Sequence, residues 1–174
     1  GFPAAVFDST NGKVVISYAD SGDSETGKTR VGTVSGTSIS FGSVVEFAGG
    51  AGVSYSSATY DSTNGKIVVA YRDESNNHGK VVVGTVSGTS ISFGSPTTFE
   101  AANSYYISAT FDSNSGKAVI AYNDATSSYN GTAVVFGSDS LVTNLTAENY
   151  IGIAAEAIAN AATGKVNILG GVNS

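Results

Sequence analysis

The residues able to do chemistry are few. His78 is the single histidine among 174 residues and the chain holds no cysteine. That excludes disulfides, thiolate nucleophiles, thiolate-bound zinc and iron–sulfur clusters. A histidine triad or a multi-histidine metal site would have to run through His78 alone. In the stretch RDESNNHGK it reads as an exposed loop histidine. No Gly-x-Ser-x-Gly, His-Glu-x-x-His, phosphate-loop or dinucleotide fingerprint stands in a fitting context. Arg30 and Arg72 are the only arginines, one short of the three that a sialidase-type site uses to hold its substrate's carboxylate. Other glycosidases need two carboxylates about 5 to 10 Å apart. Most regularly placed acids here sit at repeated positions, which suits structure better than catalysis.

Those repeated acids fall into two sets. Asp8, Asp61 and Asp112 each precede an Asn-Gly or Ser-Gly pair, and Asp20, Asp73 and Asp124 each follow a tyrosine two residues on. Calcium wants clustered oxygen ligands, and one carboxylate per turn supplies too few. Capping of turn amides is the better reading for the first set, and loop capping or hydrogen bonding between repeats for the second. No metal, cofactor or catalytic residue is expected, and the chain reads as non-enzymatic.

Charge narrows the partners. Fourteen acidic against eight basic residues leave a formal charge of −6, and basic residues such as Lys13, Lys28, Arg30 and Arg72 are scattered. Nothing resembles a phosphate-backbone footprint, so neither nucleic acid nor an anionic membrane is an expected partner. No apolar run reaches the roughly 20 residues of a membrane-spanning helix. With 41% hydrophobic residues the chain can build a compact core. Methionine is absent even from position 1, which fits a fragment of a longer protein, with Gly1 a processing or tag scar.

The elements that must position any site come from internal repetition. Val31 to Ser43 (VGTVSGTSISFGS) recurs letter for letter at Val83 to Ser95. FDSTNGKVVISYAD (Phe7 to Asp20) returns as YDSTNGKIVVAYRD (Tyr60 to Asp73) and FDSNSGKAVIAYND (Phe111 to Asp124), and a worn fourth copy carries Gly164-Lys165. A period of roughly 50 residues is in the range of propeller blades. Each copy divides into four short strands bounded by Gly, Asn, Ser and Asp. In the second copy strand A is about Tyr55 to Asp61, B Lys66 to Arg72, C Lys80 to Val86 and D Ser90 to Phe99. Strand B reads IVVAY without alternation, as a strand covered on both faces does, whereas SISF alternates like an outer strand. Asn64-Gly65 and Ser87-Gly88 are tight-turn signals. Ile151 to Ala162 is alanine-rich but aligns with the A strands, so strand is expected there too. The expectation is a single all-β repeat domain over 1–174. It holds blade 1 at about 1–52, blade 2 at about 53–103, blade 3 at about 104–150 and a half-blade at about 151–174.

The pattern [FY]-D-S-x-[NS]-G-K-x-V-[IV]-x-Y-x-D followed by G-T-V-S-G-T-S-I-S-F-G-S resembles the blade-like repeats of tail-fibre and other structural proteins of marine bacteriophages and of related environmental, metagenomic sequences. The resemblance covers about residues 1 to 150. It implies a β-propeller with a structural or receptor-binding role and transfers no catalytic residues.

Differences between copies point to where function could sit. The A–B and C–D turns are nearly constant, while the B–C loops read DSGDSETG, DESNNHG and DATSSYNG and the D–A connections AGGAG and EAANS. Loops released from the repeat can serve binding. A sugar site wants an aromatic ring for the apolar sugar face and polar groups for its hydroxyls. Asp73, Asn76, Asn77, His78, Tyr105 and Tyr129 are the candidates. The expectation is therefore about three and a half four-stranded propeller-type blades, completed by dimerisation. Its role is structural and receptor- or carbohydrate-binding, within a larger virion or extracellular protein. A self-assembling scaffold and a fragment of a glycan-active hydrolase are the alternatives.

Overall fold

The computed structural model describes residues 3–138 and 145–146. They form an all-β protein of two antiparallel sheets. The first contains β1 (Ala4–Asp8), β2 (Lys13–Asp20), β3 (Thr26–Ser35), β4 (Ser38–Phe41) and the short β5 (Val45–Glu46), in the order β1-β2-β3-β4 with β5 also on β3. The second contains β6 (Val53–Asp61), β7 (Lys66–Asp73), β8 (His78–Ser87), β9 (Ser90–Phe93), β10 (Thr97–Asp112), β11 (Lys117–Asp124), β12 (Asn130–Phe136) and β13 (Leu145–Thr146). A 3₁₀ turn at Ala125–Ser127 is the one helical element among the described residues, and no helix there is long and apolar enough to cross a membrane. Neither sheet closes on itself within those residues. The half-blade expected at 151–174, with Ile151 to Ala162, lies outside them.

Each repeat folds as an antiparallel meander: β1 to β4, β6 to β9, and β10 to β13. The expected break between strand D of the second repeat and strand A of the third is missing. β10 is one 16-residue strand whose first part pairs with β8 and whose later part pairs with β11. EAANS, read as a connection, lies inside it. Register shifts after Thr98, Glu100 and Tyr105 absorb the extra residues and turn the strand. The interruption falls earlier, at Gly94 to Pro96 between β9 and β10, where proline has no N–H to give a ladder.

The three meanders pack face on face, the second and third joined through the bent β10. Val15, Ala19 and Val31 of the first meet Ile67, Val69, Tyr71 and Val82 of the second. On the other side of the second meander, Val68, Ala70 and Val81 meet Ala118, Ile120, Tyr122 and Val134 of the third. The run Ile67-Val68-Val69-Ala70-Tyr71 is fully buried because alternate residues enter different cores. Each such Val or Ile side chain stabilises the fold by about 1.5–3 kcal/mol. One device appears in both cores. The Phe47 ring meets Tyr71 at 5.3 Å and the Phe99 ring meets Tyr122 at 5.1 Å. Each phenylalanine lies over a glycine, Gly27 or Gly79, where a Cβ would stand 2.7 or 2.5 Å from the ring.

The constant turns hold themselves. Asp8 Oδ1 accepts from the backbone N–H groups of Thr10 and Asn11, both at 3.0 Å, and Asp61 Oδ1 accepts from Thr63 and Asn64 at 2.9 and 3.0 Å. Asp112 Oδ1 accepts from Asn114 at 2.9 Å. These carboxylates do the local capping expected of them.

Candidate functional site

The end of the sheets opposite those turns carries an aromatic cluster. It forms where the starts of the A strands meet the ends of the B strands and the variable B–C loops. The A strands of the second and third repeats, β6 and β10, bulge there, between Ser54 and Ser57 and between Tyr105 and Ser108. The bulges place Tyr55 and Tyr106 at φ 49° and 51°, a left-handed conformation uncommon for a bulky side chain. The two tyrosines hold equivalent places in their repeats, and their rings meet at 5.3 Å.

Tyr105 extends the cluster, 5.7 Å from Tyr55 and 5.9 Å from Tyr129. Tyr129 is aimed by its loop. Asp124 caps the 3₁₀ turn by accepting from Thr126 N–H at 2.8 Å, Ser128 and Tyr129 both follow at φ 60°, and Asn123 Nδ2 donates to the Tyr129 carbonyl at 2.8 Å. Tyr106 and Tyr129 are 72% and 62% exposed, so two rings of a connected group face solvent.

Arg72, at the end of β7, organises the centre. Its guanidinium carbon lies 4.9 Å from the ring centroids of both Tyr55 and Tyr105, a double cation–π contact. Nε and Nη2 donate to Glu74 Oε1 at 3.1 and 2.8 Å, and the Ser54 hydroxyl donates to the same oxygen. The guanidinium and carboxylate cancel formally. The arrangement offers aromatic rings steeply inclined to one another, rimmed by hydroxyl and charged hydrogen-bonding groups, without net charge.

Of the residues singled out from sequence, Tyr105 and Tyr129 come together in this cluster. The other four lie beside it, Asp73 at the end of β7, Asn76 and Asn77 in the following loop and His78 at the start of β8. Asp73 is buried. Burial alone would raise its carboxyl, but bonds from Lys80 Nζ at 2.5 Å and from the hydroxyl and N–H of Ser75 at 2.6 and 2.9 Å overcome that and hold it below the ordinary carboxylate range. Asn76 Oδ1 accepts the N–H of His78 at 2.9 Å. Asn77, at φ 63°, accepts from Ser104 N–H at 3.2 Å, which anchors the backbone next to Tyr105. His78 opens β8 and pairs with Asn103; it is a strand residue where a loop residue was expected. Sequence reasoning passed over Tyr55, Tyr106, Arg72 and Glu74. The available signal was the equivalence of Tyr55 and Tyr106 in SYSSATYD and YYISATFD. Among the described residues no three His, Asp or Glu side chains gather as a metal site would require.

No protein-family model matches the chain, and no curated protein does. Among solved structures, a fucose lectin from Kordia zhangzhouensis, determined with methyl-fucoside, aligns over 83% of this chain and 99% of its own at 15% identity and a TM-score of 0.43. A likeness at that level carries no argument about a ligand.

Proposed function

We propose that the protein is a non-enzymatic carbohydrate-binding module. The observation that carries this reading is the Tyr55–Arg72–Tyr105 cluster flanked by the exposed Tyr106 and Tyr129. The C–H face of a pyranose packs on an aromatic ring, while its hydroxyls donate to acceptors such as the Glu74 carboxylate and exchange hydrogen bonds with the tyrosine phenols. Because Arg72 is already paired with Glu74, the surface suits a neutral sugar. The wider reading takes the meanders as blades of a propeller-type ring completed by pairing of chains, in a larger virion or extracellular assembly where glycan binding serves attachment.

A glycan array followed by calorimetric titration tests it. Binding of a neutral glycan is expected, with Tyr106→Ala and Tyr129→Ala each weakening it about tenfold, the loss of about 1.4 kcal/mol of stacking. Absence of binding on the array, or binding untouched by both substitutions, overturns it.

A further inference from the structure

The stack of meanders is directional, and one of its faces is open. At both observed junctions a meander presents one chemical face to the opposite face of the next. In the second meander the receiving face includes Tyr60, Ile67, Val69, Val86 and Ile91, all at most 9% exposed. The same positions of the first meander are Phe7, Val14, Ile16, Val34 and Ile39, and none of them joins either core among the described residues. Phe7, Val34 and Ile39 are 58%, 56% and 41% exposed. Tyr71 receives Phe47, which lies over Gly27 of the first meander, and Tyr122 receives Phe99, which lies over Gly79 of the second, whereas Tyr18, their counterpart, is half-exposed with no ring against it among the described residues. This is more contiguous apolar surface than scattered exposed residues account for.

The other end of the stack offers the complement. Val119 and Val135 are half-buried and Ala121 is exposed on the outward face of the third meander. Their equivalents Val15 and Val31, and Val68 and Ala70, fill the two cores. Among the described residues, nothing stands where a Cβ on Gly131 would point, whereas Gly27 and Gly79 seat a phenylalanine there.

We infer that the open face of the first meander is a docking surface for a second copy of this chain, which presents the outward face of its third meander head to tail, in the geometry that already joins the meanders. This deepens the chain-pairing part of the proposed function by fixing which faces meet, and it stands independently of the glycan part. A head-to-tail contact is heterologous, so it closes a ring or propagates, in contrast to a two-fold contact in which each patch meets itself.

The observed junctions supply the test. Tyr60 of the second meander donates to the Thr10 hydroxyl of the first at 2.5 Å, and Thr63 of the second stands against Gly116 of the third. The corresponding pair across chains is Phe7 of one copy and Asn114 of the other. The chain has no cysteine, so introduced thiols are the only ones. Light scattering on the whole chain should give a mass at least twice 17.4 kDa. The double variant Val34→Lys/Ile39→Lys should reduce it to the monomer with an unchanged circular dichroism spectrum, because both side chains already face solvent. A mixture of Phe7→Cys and Asn114→Cys proteins should cross-link on oxidation while Phe7→Cys alone does not. A monomer at every concentration, association indifferent to the lysines, or self-cross-linking of Phe7→Cys would each overturn it. Glycan titration of the monomeric double variant keeps failure here separate from failure of the sugar site.

Discussion

Asp73 and Asp20 occupy the same place in two repeats, and each meets the lysine of the facing strand, so replacing each with asparagine isolates the effect of burial. Lys80 Nζ lies 2.5 Å from Asp73, whose side chain is 4% exposed, and Ser75 adds two donors to the same carboxylate. Lys28 Nζ lies 2.8 Å from Asp20, whose side chain is 36% exposed, and Lys28 keeps a second partner in Asp23 at 2.6 Å. A buried, charge-assisted hydrogen-bond set loses about 2 kcal/mol when the charge is removed, whereas an exposed pair is screened by water and contributes little. Asp73→Asn should therefore lower the melting temperature by roughly 4–8 °C at about 2–4 °C per kcal/mol for a chain of this size. Asp20→Asn should barely move it. The Asp73 effect should also depend on pH. Its folded carboxyl is held below the ordinary value, so the stability it contributes is fully present above about pH 4 and is lost as pH falls through the depressed folded value. Urea unfolding followed by circular dichroism at pH 7 and pH 3 reads both effects. Equal losses for the two variants, or an Asp73→Asn deficit as large at pH 3 as at pH 7, would refute the reasoning.

Other substitutions test the packing. Ser17 is fully buried and its hydroxyl has no hydrogen-bond partner among the described residues, at a position where the other repeats carry Ala70 and Ala121. Ser17→Ala should stabilise the protein by about 1 kcal/mol in urea unfolding. Gly42 packs against the β8–β9 turn so closely that a Cβ would stand 1.9 Å from the Thr89 carbonyl oxygen. Gly42→Ala should accordingly destabilise by about 2 kcal/mol or more, seen as a lower urea midpoint. Arg72→Ala removes the cation that touches both rings and leaves Glu74 without its cationic partner, so calorimetry should show weaker neutral-glycan binding and the melting temperature should fall only slightly.

What could be read from sequence was whatever the repeat enforces locally. The uninterrupted IVVAY run predicts a strand covered on both faces, and Ile67 to Tyr71 feed two cores. The Asp-Ser-Thr-Asn-Gly turns predict caps, and Asp8 and Asp61 make them. The fused β10 was hidden because Glu100 to Ser104 is polar and small, a composition that reads as loop and is here carried on bulges. The site was half legible for a related reason. Tyr105 and Tyr129 stand out as aromatic residues on variable segments, but Tyr55 and Tyr106 reach the surface only through left-handed bulges that residue type does not announce. Asp73 has the chemistry of a sugar ligand, yet burial and Lys80 engage its carboxylate in the loop itself.

In the proposed function the tyrosine–arginine cluster is the sugar-binding surface. Backbone amide NMR of the labelled protein, titrated with the neutral glycan that binds most tightly on the array, tests it most directly. Shifts concentrated at Tyr55, Arg72, Tyr105, Tyr106 and Tyr129 are predicted. Shifts centred on the opposite end, around Gly12, Gly65 and Gly88, or no saturable shifts at all, would contradict it.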